Sequence, residues 1–261
     1  MLHYTTYTEA DSDQWVTFVH GAGGSSTIWF RQIRDFKKHF NVLLLDLRGH
    51  GNSKSNLVKA LQRYTFDSVT DDIIEVLDHL GIKKSHFIGI SLGTILIRNI
   101  EDRYPNRIHA MVLGGAIVKL DFRSQLLMKL GNWFKSMIPY LWLYRFFAFI
   151  IMPNKNHKES RNLFVREAKK LYQKEFLRWF KLTADLNPLL RFYRETRSMV
   201  PTLYLMGEED YLFLPPIREL VGANPLADLF VVEKCGHVVN VERPQTFNEK
   251  ALEFLRGLSS L

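Results

Sequence analysis

Short aliphatic and β-branched runs alternate along this chain with longer amphipathic stretches. Residues 15–19, 42–45, 86–90, 111–113, 202–206 and 229–232 are apolar on both faces, the pattern of strands buried within a parallel sheet. Between them the period changes to that of helices. Val69, Ile73, Val76, Leu77 and Leu80 form one stripe over 66–80, and Gly81 supplies a C-terminal stop. A second helix opens with Pro244 in its first turn, and Phe247, Ala251, Phe254, Leu255 and Leu258 share one face. This alternation predicts an α/β fold, a doubly wound and mostly parallel sheet with helices on both sides. Few residues precede the first buried run, so an opening antiparallel strand is confined to about residues 2–7.

Composition narrows the class. With 261 residues, 46% hydrophobic and 24% charged, the chain is suited to one large globular domain carrying an insertion, without repeats or low-complexity tracts. Its single cysteine, Cys235, excludes an intramolecular disulfide and a cysteine-based metal cage. The first ten residues lack the basic start and apolar core of a secretory signal. A cytoplasmic location is the expectation.

Candidate chemistry begins at Gly89-Ile90-Ser91-Leu92-Gly93, a G-x-S-x-G run fed by the predicted strand 86–90 and followed by an apolar helical stretch over 92–104. Such a turn holds a serine in a strained conformation at a sheet edge, and flanking glycines remove Cβ atoms that would clash there. The Leu92 N–H, at the start of the helix, favours developing negative charge. The bland reading is a glycine-punctuated strand end with a capping serine. His20-Gly21-Ala22-Gly23-Gly24 follows the strand 15–19, and Ala22 is the expected second main-chain donor to an oxyanion. His20 is expected to pack the loop and to take no part in proton transfer.

These motifs, together with Asp46-Leu47-Arg48-Gly49-His50-Gly51-Asn52-Ser53, which matches a D-x-R-G-x-G-x-S loop, and the aromatic Trp29, resemble the α/β-hydrolase family over nearly the whole chain. The resemblance implies a shaping role for Asp46, Arg48 and His50, and an order of serine, acid and histidine along the chain. A serine hydroxyl needs an adjacent imidazole, and the imidazole needs a carboxylate. The strand 202–206 runs into Gly207-Glu208-Glu209-Asp210, and the strand 229–232 into Glu233-Lys234-Cys235-Gly236-His237. The resemblance points to Asp210 as acid and His237 as base, with Glu208 and Glu209 as local competitors and Asp121 as the fallback. Cys235 is read as a small packed side chain. No metal-ligand spacing and no P-loop is present, so neither a metal nor another cofactor is expected.

The resemblance also implies a core of residues 1–118 and 201–261 and a helical cap or lid over 119–200. That insertion carries 17 Lys and Arg against 6 Asp and Glu, an excess of 11 positive charges. A solvated face is the first reading of the excess, ahead of an anionic substrate or an acidic membrane surface. No nucleic-acid module accompanies the charge, so no nucleic-acid partner is expected. The apolar run 138–152 contains Pro139 and Arg145 and is too short to span a bilayer. Core packing ranks first for it, an apolar substrate wall through Trp142 and Phe146 second, and membrane contact third. The resulting expectation is a serine hydrolase acting through an acyl-enzyme on a small, lipophilic ester, lactone or thioester with a medium or long acyl group. Carbon–carbon cleavage, elimination or peroxide chemistry on the same residues is the second class, and a ligand-binding or signalling protein with little turnover the third.

Overall fold

The computed structural model describes residues 1–8, 11–53, 64–120 and 138–258, together with the single positions 125, 129 and 133. The sheet order is β1-β3-β2-β4-β5-β6-β7, with β1 (Tyr4–Tyr7), β2 (Trp15–Val19), β3 (Asn41–Leu45), β4 (Ser85–Ile90), β5 (Ile108–Gly114), β6 (Thr202–Gly207) and β7 (Ala227–Val232). Only the first pairing is antiparallel, Tyr4 lying opposite Leu45 and Tyr7 opposite Val42. The others are parallel. All the runs predicted as buried strands are strands, and most extend slightly beyond their apolar centres.

Alternation along the strands divides the core between the two faces of the sheet. Leu43, Leu45, Phe87, Met111, Leu113, Tyr204 and Met206 face α2 (Phe66–His79) and α3 (Leu92–Arg103). Val16, Phe18, Val42, Leu44, Ile88, Ile90, Leu203 and Leu205 face α1 (Phe30–Phe36) and, at the other end of the chain, α10 (Pro244–Leu258). Trp29 is fully buried on this side, its ring 5.0 Å from that of Phe18. The predicted stripe of α2 is buried through Val69, Ile73, Val76 and Leu77. Thr65 closes its start in a capping box with Ser68, and Gly81 follows its end at φ +69°.

Between β5 and β6 lie α4 (Tyr140–Ile151), α5 (Lys158–Ala168), α6 (Gln173–Lys181) and α7 (Thr183–Glu195). Leu143, Tyr144, Ala168, Leu171, Phe176 and Phe180 give these helices a small core of their own. Ala148 and Met152 join the core on one face of the sheet, while Trp179, Leu182, Leu186 and Leu190 join that on the other. The insertion is therefore seated on both halves of the sheet's carboxyl edge. After β6 and β7 come α8 (Leu214–Gly222) and the single turn α9 (Val239–Glu242).

Candidate active site

Ser91 sits between β4 and α3 at φ 53°, ψ −119°, a conformation that side chains rarely adopt. The turn is held from both sides. The Ser91 N–H donates to the Gly114 carbonyl at 3.0 Å, and the Thr94 N–H returns to the Ser91 carbonyl at 2.9 Å. Gly93 shows why the turn needs glycine, since a Cβ there would collide with the Val19 carbonyl at the end of β2. The loop after β2 then passes directly over the serine, and a Cβ on Gly21 would stand 3.2 Å from that of Ser91. Ala22 and Leu92, the expected oxyanion donors, line the same cavity as Ser91.

The loop carrying Ala22 rests on neutral imidazoles. His50 Nε2 accepts from the Gly23 N–H at 3.0 Å, and its Nδ1 is paired with the Arg48 carbonyl at 3.1 Å. Burial, with His20 beside it, pushes the His50 imidazole down to about 3, so it stays an acceptor at neutral pH. His20 likewise spends both ring nitrogens on main chain, Nε2 on the Leu47 N–H and Nδ1 on the Gly21 carbonyl. Asp46 supports the next turn, its oxygens taking the Ser26 N–H at 2.7 Å and the Asn52 N–H at 2.8 Å. Arg48 is bound to the buried Asp72 at 2.6 Å.

Asp210 and His237 stand on the loops after β6 and β7, and His237 Nδ1 lies 2.7 Å from Asp210 Oδ2, both residues buried. His237 Nε2 is buried without a hydrogen-bond partner among the described residues, and His237 lines the cavity that also holds Ser91. The loops are joined to each other through main chain, Glu208 N–H to Val232 at 2.9 Å and Glu209 N–H to Cys235 at 2.8 Å. Gly207 permits this approach, because a Cβ there would collide with the Cys235 and Gly236 carbonyls.

The neighbouring carboxylates are turned to other work. Glu208 accepts the Lys234 N–H at 3.0 Å. Glu209 accepts from Asn154 at 2.9 Å and Asn156 at 2.8 Å, bonds that lower its carboxyl below the usual range, and it meets His157 Nε2 at 2.7 Å. Asp121 lies outside the described residues. Burial and nearby carboxylates raise the Cys235 thiol, which suits a packed side chain and not a thiolate.

The cavity has a volume of about 260 Å³ and its walls are largely apolar. Its insertion side is built by Tyr144, Phe147 and Ile151 of α4, Leu163 and Phe164 of α5, and Phe176 and Phe180 of α6. The sequence reading assigned the wall to Trp142 and Phe146, and the helix phase corrects it. Those side chains are 64% and 52% exposed on the opposite face of α4. Apolar residues lie all round this helix, and Arg145, its one charge, is the only local mark of the outer side. The stripe of Phe176, Trp179 and Phe180 in α6 was a usable signal for the wall, whereas nothing local marks Phe164. Among the described residues no cluster of His, Cys, Asp or Glu is arranged to hold a metal ion.

His157 was also missed. It is fully buried, contacts Glu209, and its ring packs against Gly236, next to His237, where a Cβ would lie 2.7 Å from Nε2. It thereby ties the insertion to both the acid and the histidine loops. Replacing His157 by alanine is expected to cost about 2–4 kcal/mol of stability, from the cavity and the lost bond. Fluorophosphonate labelling should slow together with ester turnover, by at least about tenfold. Unchanged labelling in a destabilised variant would reduce His157 to a packing residue.

Fold and site define a class, a doubly wound α/β protein with a serine elbow, a buried acid–histidine pair and an apolar cavity at the carboxyl edge of its sheet. The family model for the alpha/beta hydrolase fold matches residues 14–244, and the chain belongs to that family. It is 27% identical over 250 residues to an uncharacterized carboxylesterase of Bacillus subtilis, covering 93% of this chain and 79% of the relative. It is likewise 27% identical over 257 residues to 3-oxoadipate enol-lactonase 2 of Acinetobacter baylyi, covering 95% and 90%. Among solved structures, the enol-lactonase of Burkholderia xenovorans superposes with a TM-score of 0.79 at 21% identity, covering 98% of this chain and 96% of that one.

Proposed function

We propose that this protein is a carboxylic ester or lactone hydrolase that works through an acyl-enzyme on Ser91, with residues 119–200 as a cap over the site. The observation that carries the reading is that His237, paired with the buried Asp210, lines the same cavity as the strained Ser91. The similarity to a carboxylesterase of Bacillus subtilis and to the enol-lactonase of Acinetobacter baylyi supports the substrate class.

In this reading Ser91 Oγ attacks the ester carbonyl while His237 Nε2 takes its proton. Asp210 holds the other imidazole nitrogen and stabilises the imidazolium. The negative oxygen of the tetrahedral intermediate is held by the Ala22 and Leu92 N–H groups. His237 then returns the proton to the leaving alcohol. Water attacks the acyl-enzyme with His237 again as base, which releases the acid and restores Ser91. The single buried cysteine is compatible with the expected cytoplasmic location.

The aromatic and aliphatic walls favour an apolar acyl group. Each methylene buried there contributes up to about 0.8 kcal/mol, so two further carbons are worth roughly tenfold in kcat/KM. The expected result is a preference that climbs from acetate to hexanoate esters and then falls, with the climb flattened in Phe147→Ala. A profile that falls from acetate onward would make a small polar ester or lactone the substrate.

A further inference from the structure

α4 presents opposite faces to different surroundings. Its inner face gives Tyr144, Phe147 and Ile151 to the cavity. Its outer face holds Trp142, Phe146 and Phe149 in water, 64%, 52% and 61% exposed. Spacings of four and three residues place these rings on one stripe of the helix, and exposed Arg145 stands beside them. Sustained exposure of that much aromatic surface along one line is unfavourable in water, and it differs from scattered exposed side chains.

Charge indicates what would cover the stripe. From residue 122 to residue 158 the sequence has 6 Lys and Arg and no Asp or Glu. Lys155 and Lys158 are exposed just beyond the helix, and the Arg161 guanidinium stands 5.9 Å over the Phe149 ring. Trp133, within the same run, is 72% exposed. Aromatic side chains flanked by cations, with Glu159 the one acid between residues 122 and 166 and that one paired with Arg31, match the boundary of an anionic bilayer, where rings enter the acyl edge and cations meet the phosphates. A protein partner with an apolar groove would bury the rings, yet would have no general need for an acid-free run of this length. No helix among the described residues is long and apolar enough to cross a membrane, so the contact is peripheral.

We propose that the outer face of α4 docks on anionic lipid surfaces, which brings the cavity wall on the helix's other face close to lipid-dissolved substrates. The docking stands independently of the hydrolase reading, while the consequence for substrate supply rests on it.

The test is co-sedimentation of the full chain with vesicles of phosphatidylcholine alone and of phosphatidylcholine mixed with phosphatidylglycerol. Binding should be at least about tenfold tighter to the anionic vesicles and should weaken in high salt. The triple variant Trp142→Ser, Phe146→Ser and Phe149→Ser should lose at least about tenfold of that affinity while remaining folded by circular dichroism, since more than half of each replaced ring is exposed. Equal binding to both vesicles, or undiminished binding of the folded triple variant, would overturn the proposal. So would concentration-dependent dimerisation abolished by the same substitutions, which would give the stripe to a second copy of the chain. Because vesicle binding is read without substrate, loss of hydrolase activity would not be mistaken for loss of docking.

Discussion

Replacing Ser91 by alanine is expected to lower ester kcat/KM by at least about four orders of magnitude, and to abolish a single fluorophosphonate adduct that the wild-type protein carries at this residue. The hydroxyl is held at the start of α3 by a turn tied to Gly114 and Thr94, beneath the loop of Ala22. Alanine keeps the backbone strain and removes only the hydroxyl. Glycine removes both, because φ 53° costs a residue with a Cβ of order 1–3 kcal/mol. Ser91→Gly should therefore be inactive and more stable, with a higher melting temperature than Ser91→Ala. An adduct on another residue, or ester turnover within tenfold of wild type in either variant, would remove Ser91 from the chemistry.

Asp210→Asn is expected to slow acylation by about four orders of magnitude while the protein remains folded. The carboxylate is buried against His237 Nδ1 at 2.7 Å, so an amide of the same shape can present an N–H to the ring and select the tautomer that cannot act as base. Glu208→Gln should retain activity within about threefold, since its carboxylate is bound to the Lys234 main chain. Glu209→Gln should fall between them by weakening the His157 contact. Single-turnover labelling of Ser91 in each variant, with circular dichroism to verify folding, separates these outcomes. If Asp210→Asn labels at the wild-type rate, the acid is elsewhere.

Much of this site was legible because its signals are local. A glycine that lets α3 approach the end of β2 must lie beside the serine in sequence, as Gly93 does. Strand ends that deliver an acid and a histidine are marked by apolar runs that stop at Gly207 and just before Glu233. Choosing Asp210 over Glu208 and Glu209 was not local. It follows from main-chain bonds between the loops after β6 and β7, which turn one carboxylate of the three toward His237.

The sequence by itself determined the strand order along the chain, both-sided helix packing and the serine elbow, because period-two and helical patterns and glycine punctuation each record a neighbour only a few residues away. The tertiary structure decided which side of α4 faces the cavity. Trp142, Phe146 and Phe149 are as apolar as Tyr144, Phe147 and Ile151, so apart from the charge of Arg145 the hydrophobic effect says little about the helix's rotation about its axis. The rotation is set by shape. Tyr144 packs at 5.1 Å from Phe164 and 5.3 Å from Phe176, rings brought in by α5 and α6. His157 was hidden for a related reason, since its partner Glu209 is 52 residues away and only the closed fold brings them together.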